Sequence, residues 1–151
     1  MRLIIFLAGI CMTLSWGLTW IDPPFAGAAL SPMAMVSDGS ITLGRDSAWQ
    51  AWVFLGGFAA AALAALIALR GRGAGLFALL AGLSPLIVLG DALLAAETLR
   101  RDLGFPFPVD LADLRASWSL VEGFVRIGFW AYLAGAAVLL LAGIRTLLPR
   151  R

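Results

Sequence analysis

Four long apolar runs without a charged residue constrain this chain more than any other feature of its sequence. The runs cover residues 3–21, 47–69, 73–90 and 127–144. A helix rises about 1.5 Å per residue and the hydrocarbon core of a bilayer is about 30 Å thick, so each run is long enough, or nearly so, to cross it. Within lipid, a helix satisfies its own backbone hydrogen bonds, which an exposed irregular segment cannot do.

The composition agrees with membrane insertion, because 62% of the 151 residues are hydrophobic and only 13% are charged. A soluble domain carries about 25% charged residues. We therefore expect an all-α membrane protein with a single domain, residues 1–151, built as a bundle of four transmembrane helices. The predicted spans are about 3–21, 48–69, 74–97 and 124–145, with outer loops at about 22–47 and 98–123.

The charged residues are sorted between the two predicted faces of the membrane. Six arginines share one side, and they are Arg2, Arg70, Arg72, Arg145, Arg150 and Arg151. The acidic residues fall on the other side or in the outer ends of the spans. Because basic residues favour the cytoplasmic side, we expect both termini in the cytoplasm and the two long loops outside. A composition rich in Ala, Gly and Arg suggests a bacterial inner membrane, and a net charge of +2 indicates no nucleic-acid partner.

All six tryptophans belong to the predicted outer half of the spans. They are Trp16, Trp20, Trp49, Trp52, Trp118 and Trp130. Tryptophan favours the headgroup region, where its ring is apolar and its N–H meets water. The tryptophans predict either an interfacial belt in the lipid bilayer or an aromatic docking surface for a partner, a pigment, a quinone or a lipid.

The two outer loops carry their own structural signals. In the first, residues 33–36 and 41–43 flank Asp38 and Gly39, a pattern that predicts a small β-hairpin. In the second, four apolar residues share one helical face and predict an amphipathic helix in the interface. These four are Leu111, Leu114, Trp118 and Val121. The amphipathic helix could cover the bundle, bind a partner or gate access. The third span is expected to continue as helix to Arg101.

Asp91 and Arg126 are the charged residues that we expect to interact inside the bundle. Each lies nineteen residues from an inner-edge arginine on adjacent antiparallel spans, which places both about 28 Å above that edge. The expected result is an ion pair near the outer interface, with Glu122 as a competing partner for Arg126. The pair could act as a structural clasp, as a ligand or partner site, or in ion or proton transfer. Small residues at every fourth position, such as Gly57 and Ala61, predict close helix packing within the chain.

The sequence offers little catalytic chemistry. It has no histidine and a single cysteine, Cys11, so the common nucleophile and base pairs and the common zinc sites are missing. We expect no enzyme activity and no cofactor. The favoured function is an accessory or scaffolding subunit of a larger membrane complex, which docks through its tryptophan-rich outer half and its small-residue helix faces. The alternatives are a small transporter or channel component, or a binder of a lipid-like or quinone-like hydrophobic molecule.

Overall fold

The computed structural model describes residues 1–22, 29–41, 44, 47–71, 73–102 and 122–148, and the regular structure in these ranges is helical. Within the described ranges, five α-helices follow one another: α1 (Arg2–Leu14), α2 (Pro32–Ser37), α3 (Trp49–Arg70), α4 (Ala74–Asp102) and α5 (Ile127–Leu147). A short 3₁₀ turn, Glu122–Phe124, precedes α5. Within α3, α4 and α5 lie three segments that are long and apolar enough to cross a membrane.

Four helices form a ring in which each packs against two neighbours. The order around the ring is α1, α3, α4 and α5, and α5 closes it by packing against α1. Met1, Gly71, Gly73 and Thr146 line one shared cavity, so the starts of α1 and α4 meet the ends of α3 and α5 at one end of the bundle. The chain therefore runs up, down, up and down. We call this end the arginine end, because Arg2 also lines the cavity.

The first predicted span is wrong in its helical extent, because α1 has 13 residues and ends at Leu14. A 13-residue helix is about 20 Å long, which is shorter than the hydrocarbon core. The Ser15 hydroxyl donates to the Met12 carbonyl at 2.6 Å, and each of the next three amides donates to the carbonyl three residues before it, which makes a tighter turn than an α-helix does. Serine competes with the backbone in this way, and it favours helix ends for that reason.

Beyond α1, an extended segment satisfies its backbone against two other parts of the chain. The Trp20 amide donates to the Leu30 carbonyl at 2.8 Å, and the Trp20 carbonyl accepts from the Arg126 amide at 2.8 Å. The Gly128 amide donates to Thr19 at 3.1 Å. We call this region the junction: residues 19–22, Leu30 and residues 124–128. Irregular backbone is tolerated near lipid only where protein surrounds it, and the junction supplies that protein.

The predicted small-residue stripes pack inside the chain, as expected. Gly57, Ala61, Ala65, Ala78 and Gly82 are buried. A methyl group added at Gly82 would lie 2.5 Å from the Leu140 nitrogen, so at this point α4 and α5 touch through their backbones. Because lipid removes the hydrophobic drive between helices, such close approach is how helix packing is stabilised in a membrane.

The predicted hairpin in the first outer loop is wrong. Residues 33–36, expected as a strand, lie in the helix α2, while residues 42 and 43 lie outside the described part of the chain. Ser31 caps α2 by accepting from the Ala34 amide at 3.1 Å, and Pro32 occupies the first helical turn. A serine followed by proline is a strong helix-start signal, and here it outweighs the β preference of Val36.

The second outer loop is only partly described. The helix α4 does continue to Arg101, as predicted, and ends one residue later at Asp102. The predicted interfacial helix with Leu111, Leu114, Trp118 and Val121 falls in residues 103–121, outside the described residues. It remains a prediction.

Candidate functional site: an apolar cleft beside an aromatic cluster

Six aromatic side chains meet inside the ring, nearer the end opposite the arginine end. Together they form the aromatic cluster: Trp16, Trp20, Phe54, Phe58, Phe129 and Tyr132. The Tyr132 ring is 4.7 Å from Trp20 and 5.2 Å from Phe58, measured between centroids. Most of these pairs meet edge to face or at a tilt, which suits the charge distribution of aromatic rings. The cluster thus joins α3 to α5 across the centre of the ring.

Two hydroxyl groups are enclosed beneath the aromatic cluster. Tyr132 and Ser84 are each 3% exposed and their side chains lie next to each other, but within the described residues neither hydroxyl makes a hydrogen bond of good geometry. The Ser84 side chain points toward α3, because it occupies the space where a methyl group on Gly57 would lie. A buried hydroxyl without a well-formed hydrogen bond gains little free energy from its surroundings, so the packed rings contribute more to stability here than these two hydroxyls do.

A cleft of about 510 Å³ opens between α4 and α5 beside the aromatic cluster. Gly82, Pro85, Leu86, Leu89 and Ala92 line it on α4. The other lining residues are Trp20, Phe54, Val88, Phe129, Tyr132, Leu133, Ala136, Ala137 and Leu140. We call this space the lateral cleft. Its α4 wall includes exposed Leu86 and Leu89, so the cleft opens on the flank of the bundle where lipid would lie.

A second cavity of about 370 Å³ lies beside the lateral cleft, toward the first outer loop. We call it the outer chamber, and its lining residues are Trp20, Ile21, Leu30, Met35, Ile41, Gln50, Ala51, Phe54 and Val88. The one polar side chain in this described lining is Gln50. Its Nε2 donates to Asp91 Oδ2 at 2.6 Å, which connects the start of α3 with the outer part of α4.

The structure does not bring Asp91 and Arg126 together. Arg126 instead forms an ion pair with Asp22, with 2.8 Å between Nη2 and Oδ2, and Asp91 accepts from Gln50. α1 ends early, and the extended segment that follows it at the junction brings Asp22 to the start of α5, where Arg126 lies. Glu122 is exposed in the 3₁₀ turn. Both members of the Arg126 pair remain about half exposed, at 49% and 48%.

The tryptophans do not form one surface. Trp16 and Trp20 belong to the aromatic cluster, and the Trp20 indole N–H donates to the Ser15 carbonyl at 2.8 Å. Trp49, Trp52 and Trp130 are 49%, 53% and 49% exposed. They are carried by α3 and α5, which face each other across the ring, so these three exposed rings lie on different flanks. Trp118 lies outside the described residues.

Sequence reasoning missed most of the residues that shape the two cavities. Phe54 and Phe58 are four residues apart on α3, and Phe129 and Tyr132 are three apart on α5. Such spacing puts each pair on one helical face, which was a usable signal for an aromatic seam. Comparisons with protein-family models, with curated proteins and with solved structures find no match to this chain.

Proposed function

We propose that this chain is a non-enzymatic membrane protein that binds a lipid-like hydrophobic molecule in the lateral cleft. The observation that carries the proposal is an apolar cavity of about 510 Å³ that opens on a lipid-facing flank between two spanning helices. Binding sites for small molecules are apolar concave spaces of about 300–1,000 Å³ with aromatic walls. Because the cleft opens toward the acyl chains, a molecule dissolved in the bilayer has direct access to it.

The walls of the cleft are suited to hold such a molecule in place. The floor is fixed where Gly82 meets the Leu140 backbone, and Tyr132 is held by its contacts with three other rings. Pro85 lines the cleft and removes one backbone hydrogen bond of α4, which exposes a carbonyl in the preceding turn. A preformed cavity loses little conformational freedom on binding, and this favours affinity.

The test of the proposal is retention of a hydrophobic molecule during purification in a mild detergent. We expect mass spectrometry of the extracted protein to find one tightly held hydrophobic molecule per chain. Ala137→Trp places a large ring in the cleft and should abolish retention. Ala134→Trp is the matched control, because Ala134 is an exposed alanine on the same helix that does not line the cleft. Equal retention by both variants, or none by the unmodified protein, would refute the proposal.

A second candidate is an accessory subunit of a larger complex, and the half-exposed tryptophans favour it. Trp49 and Trp52 lie one turn apart on α3 and form a patch that an apolar helix of another integral membrane subunit could cover. The small-residue stripes are not available for this role, because they pack within the chain. Stoichiometric co-purification of another membrane protein, lost in a Trp49→Ala/Trp52→Ala double variant and kept in Trp130→Ala, would support this candidate.

For the location, we propose a bacterial inner membrane with the arginine end in the cytoplasm. Arg2 lies beside Gly71 at this end, within 3.1 Å of the position that a methyl group there would take, and Arg70 and Arg145 are in the last turns of α3 and α5. Basic residues at one end favour cytoplasmic retention of that end. A reporter that works only in the cytoplasm should be active when it is fused after the last residue. An inactive reporter at that position would reverse the assignment.

A further inference from the structure

We infer that the ligand of the lateral cleft is an amphiphile, whose apolar tail lies in the cleft and whose neutral hydrogen-bonding head lies in the outer chamber beside Gln50. This inference rests on the proposed function and adds the chemical class of the ligand. The class is a long-chain molecule with a small uncharged hydroxyl or carbonyl head.

The first argument is that the two cavities are adjacent. Trp20, Phe54 and Val88 line both of them. These three side chains therefore form a shared wall, with the cleft of about 510 Å³ on one side and the chamber of about 370 Å³ on the other. An elongated molecule that runs alongside these three side chains would reach from one cavity into the other.

The second argument is the difference in polarity between the two spaces. The described lining of the chamber contains one polar side chain capable of binding a head group, the carboxamide of Gln50. One of its N–H groups is committed to Asp91, at 2.6 Å. A carboxamide has a second N–H and a carbonyl oxygen, so Gln50 can also donate to a carbonyl or accept from a hydroxyl. The bond to Asp91 fixes the orientation of the amide and leaves it positioned for that role.

The third argument concerns the charge of the head group. Apart from Gln50, the described chamber lining is apolar, with side chains such as Ile21, Leu30 and Met35. Moving an ionised group into such surroundings costs far more than moving a hydroxyl or a carbonyl that gains a hydrogen bond. The chamber therefore favours a neutral head. Its position away from the arginine end of the bundle puts that head toward the proposed outer surface.

The test compares two labelled probes that differ only in the head group, a long-chain primary alkanol and the n-alkane of the same carbon count. Binding to the detergent-purified full chain is measured against empty micelles. We expect the alkanol to bind roughly threefold to tenfold more tightly, as one neutral hydrogen bond allows. Gln50→Leu should remove this preference.

A second variant keeps the test valid if Gln50→Leu disturbs folding through Asp91. Ala51→Trp fills the chamber and should also remove the preference for the alkanol, whereas Ala48→Trp, at an exposed alanine just before α3, should keep it. Equal binding of the two probes to the unmodified protein, or an alkanol preference that survives both chamber variants, overturns the inference. Failure of both probes to bind would instead count against the proposed function.

Discussion

Replacement of Gly82 by alanine tests whether α4 and α5 pack through direct backbone contact at the floor of the lateral cleft. The added methyl carbon would lie 2.5 Å from the Leu140 nitrogen and 2.6 Å from the Leu140 Cα. Carbon atoms in contact are about 3.5–4.0 Å apart, so the helices would have to separate by roughly 1 Å at this level. The clashing atoms are backbone, which cannot move out of the way by changing a rotamer.

The magnitude follows from the cost of overpacking a dense interior, which is about 1–3 kcal/mol for an added methyl group. Gly90 supplies the control, because it lies on the same helix and no described atom would be within 4 Å of its added methyl group. Both substitutions gain the same helical preference of alanine over glycine, about 0.5–1 kcal/mol. That gain cancels in the comparison, so Gly82→Ala should be less stable than Gly90→Ala by about 1–3 kcal/mol.

The assay is reversible unfolding in mixed micelles, with SDS added to the mild detergent and the loss of structure followed by tryptophan fluorescence. Gly82→Ala should unfold at a lower SDS fraction than Gly90→Ala. A neighbouring pair on α3 repeats the comparison, because a methyl group at Gly57 would meet Ser84 and one at Gly56 would meet no described atom within 4 Å. If Gly82→Ala and Gly90→Ala unfold together, the close contact between α4 and α5 is absent and the cleft has a different floor.

Three further predictions concern polar groups. Tyr132→Phe should change stability by less than about 1 kcal/mol, because the hydroxyl that it removes makes no hydrogen bond of good geometry, whereas Tyr132→Ala should cost about 3–5 kcal/mol of unfolding free energy in the SDS assay by removing a packed ring. A double-mutant cycle on Asp22 and Arg126 should give a coupling of only about 0.2–1 kcal/mol, since both side chains are about half exposed; a much larger value would indicate that lipid shields the pair. Hydrogen bonds from the Ser40 side chain and backbone lower the pKa of Asp38. Their stabilising effect is therefore present at neutral pH and is lost as the pH falls through that lowered pKa. Ser40→Ala should raise the pKa of Asp38 measured by NMR, and an unchanged value would contradict this.

The sequence determined the long helices, because the physical reason for them is local. An uninterrupted apolar segment in lipid must satisfy its backbone within itself, and α3 and α5 follow their charge-free runs closely, while α4 begins with its run and continues beyond it to Asp102. Gly71 ends α3 with a φ of 105°, a backbone conformation that residues with a side chain rarely adopt and that glycine permits. The small residues at every fourth position likewise predicted which helix faces are buried.

Only the tertiary structure decided where the first apolar run stops being helical and which charges meet. Residues 15–21 are apolar enough to continue a helix, yet backbone partners from Leu30 and from residues 124–128 make an extended path possible. That path carries Asp22 to Arg126, and it leaves Asp91 to Gln50. Equal height along two helices says nothing about the direction in which each side chain points around its helix. The cavities depend in the same way on how rings from different helices meet, which is a property of the assembled bundle and of no single segment.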